Sequence, residues 1–176
     1  MIAIFILLNL FIDGSNGFNK ISKENTLKKQ AEQAYNDGRF PDAISSLKTL
    51  VDEMNVTDDK AMLDLGHAYF GNKDLENASK TYQKALLSTD NNIKSVAAQQ
   101  LGILSLQGDK DKEKALSFFK EALRANPANS DARHNYELLK KAKEQDKDKR
   151  DQQNKDDKNE DNKDEKKDNK DNKDNK

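Results

Sequence analysis

The sequence predicts an all-α fold, a solenoid of three stacked helix pairs with a closing helix and a disordered tail. The first observation behind this is a spacing: Gly66-His67-Ala68-Tyr69 aligns with Gly102-Ile103-Leu104-Ser105, with the two glycines 36 residues apart. The second lies downstream of each glycine, where a small residue and then an aromatic recur, as Ala78, Tyr82, Ala85 and as Ala115, Phe119, Ala122. The third is the layout of the apolar residues. They occupy the extreme N-terminus and the stretch from about 27 to 139, and are almost absent beyond it. A self-similar period of this size is the signature of stacked supersecondary units, none of which can bury its apolar face alone.

The chain opens with an apolar run, Ile2 to Ile12, broken only by Asn9, too short for the roughly 20 residues that span a bilayer as a helix. It has the character of a signal-peptide core. Ser15 and Gly17 supply the small residues a signal peptidase reads, so residues 1–17 are expected to be removed before Phe18, although no Lys or Arg precedes the run. A buried N-terminal helix and an uncleaved anchor are the alternatives. No cysteine follows the run, so a lipid anchor on cysteine is excluded.

A helical domain is expected over residues 22–145, with units at about 24–57, 58–91 and 92–128 and the closing helix at 130–145. Ala43 to Ala78 is 35 residues and Ala78 to Ala115 is 37, so the first unit is in phase with the others through Ala31, Gly38, Ala43, Leu47 and Leu50. Helices are expected at about 22–37, 41–54, 58–71, 75–88, 92–107, 112–125 and 130–145. Pro41 suits the first turn of a helix, Gly38 and Gly108 suit the turns within units, and Asn126-Pro127 breaks the chain after the sixth helix. Small residues such as Gly66 and Ala78 allow close approach of paired helices, while Tyr82 and Phe119 are expected to fill space toward the next unit. Ala132, Tyr136 and Leu139 fall on one face of the last helix and would cover the open end of the third unit.

Residues 146–176 are Asp, Lys, Asn, Gln and Glu with a single Arg and no apolar side chain. Nothing there offsets the entropy of ordering the chain, so disorder is expected.

Leu65-Gly66-His67-Ala68-Tyr69, Ala78, Tyr82, Ala85, then Leu101-Gly102, Ala115, Phe119, Ala122 and Pro127 resemble the tetratricopeptide-repeat (TPR) consensus. The first unit departs from it, with Ala31 in place of the glycine and Leu47 in place of the aromatic. The resemblance implies that the first helices of the units line a concave groove. Its residues would be Lys28, Glu32, Tyr35, Asn36, Leu63, His67, Phe70, Gln99, Ile103 and Leu106. Apolar in the middle with a few polar groups, such a groove suits an extended or helical peptide better than a small molecule. Leu63, Ile103 and Leu106 have core packing as an equal alternative. Members of the family that grip a chaperone's C-terminal carboxylate use Lys and Asn on these helices. Here only Lys28 fits, Glu32 stands where an Asn is needed, and Asp64 and Val96 occupy two further clamp positions.

The arrangement of leader, repeats, Ala125-Asn126-Pro127, Ala132-Arg133-His134-Asn135-Tyr136-Glu137-Leu138 and a Lys/Asp/Gln/Asn tail is similar to the BatC-type TPR proteins of bacterial aerotolerance (Bat) systems. That resemblance implies a periplasmic scaffold of the envelope beside membrane proteins with von Willebrand factor A domains and, across the membrane, a MoxR-type AAA ATPase. A generic periplasmic adaptor in secretion or outer-membrane assembly, and a self-associating structural protein, are the alternatives.

No enzyme chemistry is expected. The two histidines, His67 and His134, have no partner at metal-ligand spacing, and no phosphate loop, nucleophile elbow or paired-cysteine motif occurs. No cofactor is expected. A net charge of −1 gives no field that favours nucleic acid.

Overall fold

The computed structural model describes residues 2–54, 58–107 and 110–147, with side chains described from Asn19 onward. Seven helices form its described part. They are α1 (Ile2–Asn36), α2 (Phe40–Lys48, continued by a wide π-helical turn, Thr49–Glu53), α3 (Asp59–Gly71), α4 (Leu75–Ala85), α5 (Asn91–Gln107), α6 (Lys112–Ala125) and α7 over 130–147. Helices pack as the pairs α1/α2, α3/α4 and α5/α6, and each pair stacks on the next through α2/α3 and α4/α5.

Three turns, one within each pair, share one backbone device. Gly38 (φ 74°), Lys73 (φ 63°) and Lys110 (φ 52°) each adopt the left-handed conformation. In the first two turns the residue after it donates its N–H back to the preceding helix, Arg39 to the Ala34 carbonyl (2.8 Å) and Asp74 to the Tyr69 carbonyl (3.0 Å), which closes the helix end. In the second and third turns the next helix then starts on an aspartate. Asp74 accepts from the Asn77 N–H (3.1 Å) and Asp111 from the Lys114 N–H (3.0 Å). Arg39 offers no such cap to α2, which relies on Pro41 in its first turn. Gly108, expected in the third turn, lies outside the described residues.

Small-to-large complementarity holds each pair together. A Cβ built on Gly66 would stand 2.6 Å from Cε1 of Tyr82, and one on Gly102 would stand 2.5 Å from Cε1 of Phe119. The expectation that these rings fill space toward the next unit is therefore incomplete. Each ring lies against the glycine of its own pair, and only its remaining surface meets the next, where Tyr82 packs with Ala97 and Leu101. In the first pair the residues at these positions are Ala31 and Leu47, both buried in one cluster with Ala43, Leu50 and Ala61. A third ring, Phe40, lies against Gly71 and ties the start of α2 to the end of α3.

Two boundaries differ from expectation. Helix α1 begins at Ile2 instead of 22, since no proline interrupts the leader and a helical glycine costs only about 1 kcal/mol. The helix expected at 41–54 gives way at Thr49 to the π turn, with the Thr49 hydroxyl bonded to the Ser45 carbonyl (3.1 Å) and the Met54 N–H reaching back to the Thr49 carbonyl (3.0 Å). Elsewhere the agreement is close, as for the helix expected at 112–125 and found at Lys112–Ala125. Among the described residues no helix is long and apolar enough to cross a membrane.

Helix α7 closes the stack with Ala132 against Ala98 and Ala122, and with Leu139 and Tyr136 against Ala115 and Phe119. It runs to residue 147, past the expected end, where Lys112 pairs with Asp146 (2.5 Å) and Lys143 with Glu113. Residues 148–176 of the expected disordered tail lie outside the described residues.

Gly66→Ala is expected to destabilise the protein by up to about 2 kcal/mol, the overpacking cost of roughly 1–3 kcal/mol reduced by about 1 kcal/mol for the better helix propensity of alanine. Adding Tyr82→Leu should recover part of that loss, as read by urea unfolding of the single and double variants. Lys73→Gly, at an exposed position with left-handed backbone, should stabilise by up to about 1 kcal/mol in the same assay.

Candidate partner groove

Helices α1 and α3, with one residue from α5, surround a concavity of about 680 Å³. Its floor is apolar, made by Ala31, Leu47 and Ala61, all buried. Its walls are polar. Lys28, Glu32, Tyr35 and Asn36 come from one face of α1, Asp58, Lys60, Asp64 and His67 from the start and one face of α3, and Gln100 from α5.

The spacing explains the walls. Lys28, Glu32 and Asn36 are four apart, and Lys60, Asp64 and His67 succeed one another at four and three, so each set forms a stripe along its helix. Ion pairs cross and line the groove. Lys28 Nζ lies 2.5 Å from Asp58 Oδ2, joining α1 to the N-terminus of α3, and Lys60 Nζ lies 2.7 Å from Asp64 Oδ2. Asp58 also caps α3 by accepting from the Lys60 N–H (2.9 Å) and the Ala61 N–H (3.3 Å). Partial burial of the Asp58 carboxyl pushes its pKa up, but Lys28 and the two amides outweigh this and hold it below the usual carboxylate range.

Two aromatic contacts fix the groove's other groups. The Tyr35 ring meets Phe40 edge-on with centroids 5.4 Å apart, yet Tyr35 remains 41% exposed. His67 Nδ1 lies 2.8 Å from the Tyr82 hydroxyl, the two rings edge-on at 5.4 Å. Burial drives the Tyr82 pKa upward, which keeps the hydroxyl protonated and able to donate to the imidazole or accept from it according to the His67 tautomer. Burial likewise lowers the His67 pKa, with Lys60 acting in the same direction and Asp64 against it.

The structure brings five of the sequence-predicted groove residues into this one concavity: Lys28, Glu32, Tyr35, Asn36 and His67. It does not bring the others there. Leu63 and Gln99 are buried at 8% and 9% exposure, Phe70 is packed with the Tyr82 cluster, and Ile103 and Leu106 lie against the Phe119 and Leu139 cluster. The reason is rotational register. The open face of α3 carries 60, 64 and 67, whereas the sequence pattern placed it at 63, 67 and 70. Adding the 36-residue repeat offset to Asp64 gives Gln100, the groove residue that the pattern assigned to Gln99. The i,i+4 pairing of Lys60 with Asp64 was the available signal, since opposite charges at that spacing mark a solvated face.

A shallower concavity of about 490 Å³ lies between α2 and α4 over Met62, Leu65 and Tyr69 of α3. Among the described residues no group of three or more His, Asp or Glu side chains is arranged to hold a metal ion.

Residues 59–92 and 97–129 each match the tetratricopeptide-repeat family model. The TPR domain of Arabidopsis OM64 superimposes with a TM-score of 0.62 at 18% identity, covering 70% of this chain and 98% of that one. The fold is a TPR solenoid. The second TPR domain of human RPAP3, solved with an HSP70 peptide, gives a TM-score of 0.60 at 18% identity over 69% of this chain and 98% of that one. PcrH, solved with the chaperone-binding region of PopB, gives 0.56 at 19% identity over 67% and 92%. Likeness at these identities is likeness of TPR architecture. No curated protein matches the sequence.

In this TPR array His67 links the groove to the Gly66–Tyr82 seam, and its titration affects stability. Its folded pKa lies below the ordinary 6.5, so on acidification the unfolded chain takes up a proton that the folded chain resists. The contribution to stability is fully present above the ordinary value and falls as the pH drops below it. Urea midpoints at about pH 7.5 and about pH 5.5 should show this loss, and His67→Gln should reduce it.

Proposed function

We propose that this chain is a non-catalytic adaptor that holds a segment of a partner protein in the groove between α1 and α3. The observation that carries the reading is the groove itself: an apolar floor, hydrogen-bonding walls and a half-exposed aromatic ring held rigidly at its rim. Such a surface suits an extended or helical segment, with the floor supplying affinity and the walls orientation. Support comes also from the fold, since the RPAP3 domain and PcrH were each solved with a peptide or protein region bound.

The setting proposed is the bacterial envelope, with export by the leader and the adaptor working in a Bat complex. Its direct partners would be membrane proteins with von Willebrand factor A domains, and a MoxR-type ATPase would act indirectly. The segment Ala132 to Leu138 and the leader support this assignment. In the structure the former is the first half of α7, so it would serve by closing the array and leave the groove to the partner. The polar tail would keep the assembly soluble.

Capture from envelope extracts with the tagged full-length chain and identification by mass spectrometry test both levels of the reading. Recovery of von Willebrand factor A proteins is expected, with Tyr35→Ala and Asn36→Ala together lowering recovery about tenfold while helicity is unchanged. Phe70 is unsuitable for this test because it packs against the Tyr82 cluster and does not line the concavity. Recovery of another envelope machine would reject the Bat assignment and keep the adaptor. Recovery indifferent to the Tyr35 and Asn36 changes would reject the groove.

A further inference from the structure

We infer that the groove recognises its partner through an inserted lysine or arginine side chain. This rests on the peptide-binding reading and specifies the chemistry of the peptide.

The balance of charge along the walls carries the inference. Three carboxylates, Glu32, Asp58 and Asp64, face two amines, those of Lys28 and Lys60. Both amines are committed, Lys28 to Asp58 at 2.5 Å and Lys60 to Asp64 at 2.7 Å. Asp58 is further engaged by the two backbone N–H groups at the start of α3. His67 adds no fixed positive charge, because burial lowers its pKa and its Nδ1 is engaged by the Tyr82 hydroxyl. Among the described residues Glu32 sits in no ion pair, its charge reaching the Lys60 amine only beyond salt-bridge distance, and it stands in the middle of the α1 stripe with Lys28 one turn before it and Asn36 one turn after.

A ligand's carboxylate would find both amines already paired and would meet Glu32. A ligand's cation would find three complementary groups. Glu32 supplies the charge. Tyr35, three residues along the same helix face, presents a ring that Phe40 holds in place, suited to cation–π contact. The side-chain amide oxygens of Asn36 and Gln100 are further acceptors. A lysine or arginine can also lay its methylene stem over the floor of Ala31, Leu47 and Ala61 while its head reaches Glu32.

The occupant is a partner segment and not the chain's own tail. The tail carries Lys in repeated Asp-Asn-Lys triplets, so every lysine inserted there would bring aspartates against Glu32 and Asp64.

Enrichment of a soluble library of short random peptides on the immobilised full-length chain tests this, run beside Glu32→Gln, Glu32→Lys and Tyr35→Ala chains and with a synthetic peptide of residues 160–176 as a further probe. The expected result is enrichment of Lys or Arg by about tenfold at one peptide position, reduced about fivefold by Glu32→Gln and turned into a preference for Asp or Glu by Glu32→Lys. Enrichment of acidic side chains or free C-termini on the unaltered chain, a Lys/Arg preference that survives Glu32→Gln, or tight binding of the tail peptide would overturn the inference while leaving a peptide groove in place. A library in which no sequence is retained better by the unaltered chain than by Tyr35→Ala would overturn the groove reading together with it.

Discussion

The second and third helix pairs depend on a ring lying against a glycine. Two antiparallel helices joined by a short turn pack at the distance their contact residues allow. At Gly66 and Gly102 that contact residue has no side chain, so Tyr82 and Phe119 rest on bare backbone with no exposed surface. Each ring is shared. One side closes its own pair, and the other belongs to the cluster beyond, where Tyr82 meets Ala97 and Leu101 and Phe119 meets Leu139 of the closing helix. A single side chain thus fixes both the geometry within a unit and the offset to the next, which is why a repeat of this kind needs neighbours to be stable.

The first pair makes that contact with the volume divided differently. Ala31 replaces the glycine and Leu47 the aromatic, so a larger small residue meets a smaller large one. The leucine cannot fill the interior as a tyrosine would, and Ala31 and Leu47 form the floor of the main concavity. The departure from the repeat pattern and the floor of the main concavity are the same feature. The missing aspartate cap on α2 and the π turn at its end fall in this pair too. Local regularity is weakest where the surface is most open, a trade common at functional sites.

Helix periodicity was legible in the sequence because the glycine, alanine and aromatic positions that set it are also the ones with the fewest acceptable substitutes. Gly66, Ala78, Tyr82 and Ala85 announce a packed seam whatever lies around them. The outward faces were harder to place. An α3 or α5 residue is enclosed by its own partner helix and by those of neighbouring units, so hydropathy does not separate a groove position from a core position. Leu63 looks like part of an apolar groove stripe and is buried, Phe70 is half-buried against the Tyr82 cluster, and Gln99 looks polar and is buried beside Gln100, which lines the groove. One step around a helix, about 100°, divides the two outcomes. On α1 the sequence pattern and the concavity share one register, because Lys28, Glu32 and Asn36 are polar along the whole open face, leaving Ala31 and Ala34 to mark the buried one.

The charges in the groove do two things at once. The Lys28–Asp58 pair spans the junction between the first and second units at the point where α3 begins, and the same aspartate caps that helix. A partly exposed pair of this kind contributes at most about 1 kcal/mol to stability. Lys28 is the one side chain that fits a carboxylate clamp, and its amine is already held by a carboxylate of the protein. Adding Glu32 to the same stripe leaves the groove with a negative charge in excess. A fold that in other chains is seen with peptides bound thus keeps its architecture here while the sign of its contact surface is set by three or four side chains on two helices. The groove side chains and the packing seams, Ala31 on Leu47 in α1 and Gly66 on Tyr82 in α3, lie on different faces of the same helices, so the two sets of contacts are separable.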